Sequence, residues 1–177
     1  SLGTGYGLDL NNNINELTSK FELNKFSTAP VKFEKEVLKT ISRKLIANLS
    51  VSEIFPYLDL IGVPDNIKEN FWMMAKDNIN SKDDLVDIWH LCKEGTNNPI
   101  IAPEDKQFLK VAITLIGEYP RDNDSWKTLT DKLKNLTGRS GKNLFMPLRN
   151  FLTGKSDGPD MKKLFPLMQK IQKCGLS

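Results

Sequence analysis

The chain has 177 residues, 39% of them hydrophobic and 27% charged, with a formal net charge of +3 at neutral pH. That length suits one domain or two small ones with a real core, and no apolar run is long enough for a membrane span. Cys92, Cys174 and the lone His90 lack the paired spacing of a zinc site, so the cysteines read as free thiols in a reducing cytoplasm.

The opening SLGTGYGLDL carries no charged-then-apolar leader and reads as the interior of a longer polypeptide. The first 28 residues hold only a weak hint of strand. Phe33, Val37, Leu38, Ile41, Leu45 and Ile46 then fall at helical spacing, predicting an amphipathic helix that ends near Asn48. Ser50-Val-Ser-Glu53 is a capping-box pattern, so a second helix is expected over 51–60, stopping before Gly62-Val-Pro64. Asp65 is expected to cap a third, through Phe71, Trp72 and Met74 to about position 78. Ser81-Lys-Asp-Asp84 opens a fourth, carrying Leu85, Ile88, Trp89 and Cys92.

GTNNPIIAPED has loop chemistry and marks the best internal boundary. Pro103 or Glu104 starts the next helix, with Phe108, Leu109, Ala112, Ile113 and Ile116 on one face and Pro120 as its stop. Ser125 is expected to cap a helix through Trp126, Leu129, Leu133 and Leu136 that ends at Gly138. A short helix over 144–152 should halt at Gly154. The last is expected over 160–174, kinked or restarted at Pro166. The fold expected is an all-α bundle or cage of about eight helices in two subdomains, preceded by a short irregular segment.

Charge is unevenly spread. From Thr130 onward there are ten Lys/Arg against three Asp, a net +7, while the preceding 129 residues carry 15 basic and 19 acidic side chains, a net −4. A single-sign field at one end suits a polyanion-binding surface, or equally a solvated basic tail.

Within that end, TGRSGKNLFMPLRNFLTGKSDGP holds two Gly-Lys pairs, and the second precedes Ser. A phosphate-binding loop needs G-x-x-x-x-G-K-[ST], so that backbone amides wrap phosphates while a hydroxyl meets magnesium. Leu136 and Arg149 occupy the two positions where the first glycine belongs, and Asn143 follows Lys142. Neither pair follows a buried strand, which excludes a nucleotide hydrolase. His90 beside Trp89 reads as a packed or half-exposed histidine, and Trp72, Met73 and Met74 as packing residues. No catalytic constellation is apparent.

The segment GKNLFMPLRNFLTGKSDGPDM resembles the C-terminal anticodon-binding region of bacterial glutamyl-tRNA synthetases, through Pro147-Leu148-Arg149, Leu152-Thr153-Gly154 and Gly158-Pro159. LTSKFELNKFSTAPVKFEKEVLKTISRKLI is similar to that family's stretch just downstream of its catalytic domain. Ser42 stands where the family usually has Asn, and the region between about 64 and 119 is only weakly diagnostic. The family's His-Ile-Gly-His-type signature and lysine-rich activation loop do not occur here.

The resemblance implies a glutamate–tRNA ligase whose ATP, magnesium and aminoacylation chemistry belong to an N-terminal catalytic domain, with no catalytic residue or cofactor in this stretch. It implies three regions: the end of a stem-contact region over 1–48, and helical anticodon-binding subdomains over 49–96 and 97–177. It casts Arg149, Thr153, Gly154, Gly158, Pro159 and Met161 as the anticodon site, the last replacing the family's usual Leu as an apolar ledge. Arg139, Lys142 and Lys155 are expected on phosphates. The implied partners are glutamate tRNA and the enzyme's own catalytic domain, in a cytoplasmic monomer. Glutamine tRNA is a further candidate, because Trp72-Met73 offers no basic residue where the family often has one. Two other readings fit the charge alone: a helical protein-interaction module and a sequence-indifferent nucleic-acid binder.

Overall fold

The computed structural model describes residues 14–19, 21–22, 24, 35–118, 122–173 and 175–176. The chain forms two compact units, Ser1–Leu49 and Ser50–Ser177. Among the described residues every regular element is helical, in agreement with the all-α expectation.

The first unit contains α1 (Ile14–Ser19) and α2 (Lys35–Ala47). On α2 an exposed Lys39–Glu36 pair at 2.7 Å lies one turn apart, and Ile41, Leu45 and Ile46 are half-buried. The strand hint falls mostly outside the described residues, and of that stretch Ile14–Ser19 is helical. Phe33, Pro120 and Cys174 also lie outside them.

The second unit opens with α3 (Val51–Leu60), which starts where the capping pattern places it. Ser50 Oγ accepts from the Glu53 N–H at 3.4 Å, and the Ser50 N–H donates to Glu53 Oε2 at 2.8 Å. Two donors that a helix start leaves unpaired are thus satisfied. The Ser50 hydroxyl, then the Ser50 N–H, hold the Glu53 carboxyl below its ordinary value.

The remaining helices are α4 (Lys68–Ala75), α5 (Asp84–Glu94), α6 (Lys106–Glu118), α7 (Ser125–Thr137), α8 (Lys142–Thr153) and α9 (Met161–Leu164). α3 packs on α4, α4 on α9, and α6, α7 and α8 on one another. Ile54, Leu58, Leu85, Leu109, Leu133, Leu148, Leu152 and Leu164 are fully enclosed, each burial favouring the fold by about 1.5–3 kcal/mol. Phe71 meets Trp89 edge-on at 5.7 Å, and Trp126 lies between Phe145 and Phe165 at 6.4 and 5.5 Å. Met73, read as a packing residue, is 42% exposed, whereas Trp72 and Met74 are buried.

Expected caps are used differently. Asp65 lies in a 3₁₀ turn, Asp65–Ile67, and its carboxylate pairs with Lys68 instead of backbone N–H groups. Lys68, only 3% exposed, also bonds Asp59 and lies over the Phe55 ring at 5.6 Å. The Asp59 and Asp65 carboxylates, Asp59 foremost, raise its pKa and keep it charged despite burial. Ser125 is the first residue of α7, and its hydroxyl donates to the Asp122 carbonyl at 2.6 Å. α5 has no side-chain cap, and Asp84 instead holds the preceding turn, its Oδ2 accepting from the N–H groups of Asn80 and Ser81 at 2.6 and 3.1 Å.

The largest departure is in the last segment. In place of one kinked helix over 160–174, α9 has four residues, Phe165–Leu167 forms a 3₁₀ turn, and residues 168–173 are not helical. Pro166 withholds a donor, and the backbone beyond it finds partners outside its own helix. The Gln169 N–H donates to the Cys92 carbonyl at 2.6 Å, and Gln172 Nε2 to the Glu94 carbonyl at 2.8 Å.

The Glu53 cap gives this unit an acid-sensitive contribution. The folded value lies below the unfolded one, so the stabilisation is complete above the unfolded carboxylate range and is lost as pH falls through the lowered value. Urea midpoints of the native chain and Glu53→Gln should therefore differ most near neutral pH and draw together as pH falls below the ordinary glutamate range of about 4.3. A gap that is constant across that range contradicts the role of the carboxylate.

Candidate nucleic-acid interface

The site grows from α8. Pro147 sits inside this helix and supplies no N–H to the carbonyl of Asn143. That carbonyl instead accepts from Arg139 Nη1 at 3.4 Å. The helix continues through Leu148, Phe151 and Leu152, all at most 1% exposed, which fix its rotation. Gly154 ends it in the left-handed region at φ 68°, where a side chain is strained. Its N–H returns to the Asn150 carbonyl at 2.9 Å.

Arg149 emerges from α8 toward the turn that precedes α9. Its Nη2 donates to the Pro159 carbonyl at 2.9 Å. Its Nη1 is buried and has no hydrogen-bond partner among the described residues. No ion pair joins Arg149 to Asp157 or Asp160 there, and Asp160 instead caps α9, accepting from the Lys162 N–H at 2.9 Å. Gly158, at φ 124°, borders the guanidinium: a Cβ there would stand 3.8 Å from Nη1.

Thr153 shapes the same turn from inside. Its buried hydroxyl lies 2.8 Å from the Arg149 carbonyl and 3.0 Å from that of Lys155, either of which can accept its hydrogen. It accepts from the Lys155 N–H at 3.1 Å. The Lys155 side chain is exposed and makes no ion pair among the described residues.

Arg149, Thr153, Lys155, Gly158 and Pro159 line one wall of an open cleft of about 480 Å³. The facing side is supplied by Asn78, Asn80, Asp84, Asp87 and His90, and the loop 95–98 completes it. Of the two expectations for His90, packed or half-exposed, the structure bears out the exposed one, with His90 in the cleft and its neighbour Trp89 6% exposed. Met161 does not reach the surface as a ledge: it is 4% exposed, because it opens α9 with its side chain in the core. Pro159 is the half-buried apolar member of the wall.

Arg139 and Lys142 lie at the other end of α8, Lys142 about 10 Å from Arg149 by helical rise, beside a second, larger hollow of about 770 Å³. Arg139 is engaged by the protein. It pairs with Asp105, donates from Nη2 to the Glu104 carbonyl at 3.1 Å, and stacks over Phe108 at 4.5 Å. Lys142 is exposed and has no ion pair among the described residues. The expected phosphate group is thus split: one tethered arginine and two open lysines at opposite helix ends.

Neither Gly-Lys pair fits a nucleotide phosphate and its magnesium. Gly154-Lys155 follows the carbonyl end of α8, and no strand precedes either pair among the described residues. No group of three or more His, Cys, Asp or Glu side chains placed to hold a metal ion occurs among them. Burial pushes the Cys92 thiol up to about 12. No described helix is long and apolar enough to cross a membrane.

The facing wall was not legible as a site. Asn78 and Asp87 sit in ordinary polar positions of helical segments and Asn80 in the turn between them, and the only sequence cue was GTNNP, which reads as a linker. The pairing across the cleft depends on tertiary packing of α4 on α9.

No family model matches the chain. It is 42% identical over 174 residues to glutamate–tRNA ligase 2 of Ruegeria sp. strain TM1040, and 40% identical over 174 residues to glutamate–tRNA ligase 2 of Cereibacter sphaeroides strain ATCC 17029. Each alignment covers 98% of this chain and 39% of the relative, so the chain spans about two fifths of the length of the curated relatives it matches. The crystal structure of a glutamate tRNA ligase from Elizabethkingia meningosepticum CCUG26117, in complex with its amino acid, superposes with a TM-score of 0.68 at 19% identity, over 87% of this chain and 33% of that one. Glutamate-tRNA synthetase from Elizabethkingia anophelis gives 0.61 at 20% identity, over the same shares. These two likenesses concern the fold. Over nearly its whole length, then, the chain is a homologue of one portion of the glutamate–tRNA ligases, the family that its Pro-Leu-Arg, Leu-Thr-Gly and Gly-Pro motif resembles.

Proposed function

We propose that this chain is the tRNA-binding portion of a glutamate–tRNA ligase and that its cleft reads an anticodon base. The observation that carries the reading is Arg149. One guanidinium nitrogen is fixed on the Pro159 carbonyl while the other is buried with no partner among the described residues, in a side chain that lines the cleft. A buried, unsatisfied donor costs about 1–3 kcal/mol, more for a charged group, and a ligand acceptor in the cleft recovers that cost. Anticodon bases suit it, since they lie in a loop and can be splayed out to present their edges.

The charge balance supports a base and not a phosphate inside the cleft. Arg149 and Lys155 there face three carboxylates, Asp84, Asp87 and Asp157. Backbone contacts then fall to open cations at the rim and beyond, Lys155 and Lys142, which add affinity without base choice. Arg139 is left out of that set by its ties to Asp105 and Glu104, and Met161 by its burial. Thr153, Gly154 and Gly158 act by shaping the turns that carry the guanidinium and let a base approach the backbone. Pro159 is the apolar ledge.

On this reading residues 1–48 end a stem-contact region, while 49–96 and 97–177 are the two helical anticodon-binding parts. The partners are glutamate tRNA and the ligase's catalytic domain, where ATP and magnesium act. Anticodon binding aids the reaction by positioning, with remote binding energy holding the acceptor end in place. The exposed Met73 offers no cation where the family often has one, which keeps glutamine tRNA as a further candidate partner.

Arg149→Ala should weaken binding of glutamate tRNA by roughly 1–3 kcal/mol and blur the preference for one anticodon base. Titrations against matched and anticodon-altered tRNA check this, and equal losses on the two reject the role. Lys142→Ala should weaken both RNAs alike and flatten the log–log salt dependence by about 0.7–0.9. An unchanged slope rules out phosphate contact there.

A further inference from the structure

Beyond Pro166 the chain leaves the helical core and crosses the end of α5 as an extended strap. Its contacts go to the last turn of that helix, where Leu91 already accepts from the Gly95 N–H but the later carbonyls lack a helical donor. The Gln169 N–H takes the Cys92 carbonyl at 2.6 Å and Gln172 Nε2 takes that of Glu94 at 2.8 Å, while Lys170 Nζ lies 3.5 Å from Glu94 Oε2. Gly95 follows at φ 74°, and a Cβ there would stand 3.0 Å from the Lys170 carbonyl oxygen and 3.1 Å from the Gln172 nitrogen. The strap rests on Gly95 as closely as backbone can.

The opposite side of the same loop bears on α8. The Ile100 N–H donates to the Asn150 carbonyl at 3.1 Å. A Cβ on Gly154 would fall 2.6 Å from the Asn98 carbonyl oxygen and 2.9 Å from Thr96 Oγ1. Residues 95–98 are therefore clamped between the strap and the turn that ends α8, one turn beyond Arg149. They line the Arg149 cleft, whereas residues 168–173 contribute nothing to its lining.

We infer that Gln172, bearing on the loop at Gly95, is a positioning residue for base discrimination. It holds the 95–98 loop, and through Gly154 the end of α8, at the separation from α5 at which Arg149 meets a base. Selective sites tolerate only about half an ångström of slack in their supporting shell. A segment outside the cleft can thus set its selectivity. This inference rests on the anticodon reading above.

The test measures binding of the whole chain to a glutamate-tRNA anticodon stem-loop and to one altered in the anticodon, for the native chain, Arg149→Ala, Gln172→Ala and Gly95→Ala. Circular dichroism confirms helical content. Loss of the Gln172 bond should cut the matched-to-altered preference by about threefold to tenfold while the salt dependence stays as in the native chain. Gly95→Ala, which drives a methyl group into the strap, should cut it at least as much; if that variant does not fold, Gln172→Ala decides alone. A preference retained in Gln172→Ala, or an equal loss on both RNAs, overturns the inference while leaving the Arg149 reading intact. A native chain without any preference overturns the anticodon reading and this inference with it.

Discussion

The hydrogen bond from Arg149 Nη2 to the Pro159 carbonyl joins the end of α8 to the turn that enters α9. Through it a flexible side chain becomes a fixed one, because both of its anchors are set by the core. Leu148, Phe151 and Leu152 lock α8 on one side, and Leu164 and Phe165 hold the start of the last segment on the other. The unpartnered Nη1 is tolerated for the same reason: the surrounding packing determines where the guanidinium lies, whatever its unsatisfied nitrogen costs.

The two ends of α8 are built for different tasks. At its start, Arg139 is absorbed into the protein by Asp105, Glu104 and Phe108, leaving Lys142 as the open charge. At its far end, charge is balanced by nearby carboxylates and hydrogen-bond geometry dominates. A surplus of basic residues in this part of the chain therefore does not translate evenly into attraction for a polyanion. Some of it is internal mortar, and the sequence does not mark which cations those are.

What could be read from the residues alone followed local rules. The capping box at Ser50 and Glu53, and the glycine stops at Gly138 and Gly154, are decided within one helical turn, and each forms as its residues dictate. The Arg149, Thr153, Gly158 and Pro159 cluster was legible because it is compact in sequence, and these residues do line one cleft, while Gly154 ends the helix beside it. Besides the facing wall of the cleft, three further things were not legible. Ser125 and Asp65 carry good capping chemistry but found nearer partners, a choice set by loop geometry. Met161 was turned inward by packing against its neighbours. Residues 168–173 have helical composition, yet Pro166 and the waiting carbonyls of α5 draw them into an extended path. Each is a case of tertiary partners outbidding local preference.

Pro147 leaves one carbonyl of α8 without its usual helical donor, and a guanidinium four residues earlier in sequence takes part of that place. Positions 139 and 147 are thereby thermodynamically coupled. A residue that restored the missing amide would alter what the arginine is worth, and loss of the arginine would change the cost of the proline, so the two substitutions should combine non-additively. Drift at either site is constrained by the other, which makes the pair a small epistatic unit embedded in the helix that carries the reading arginine.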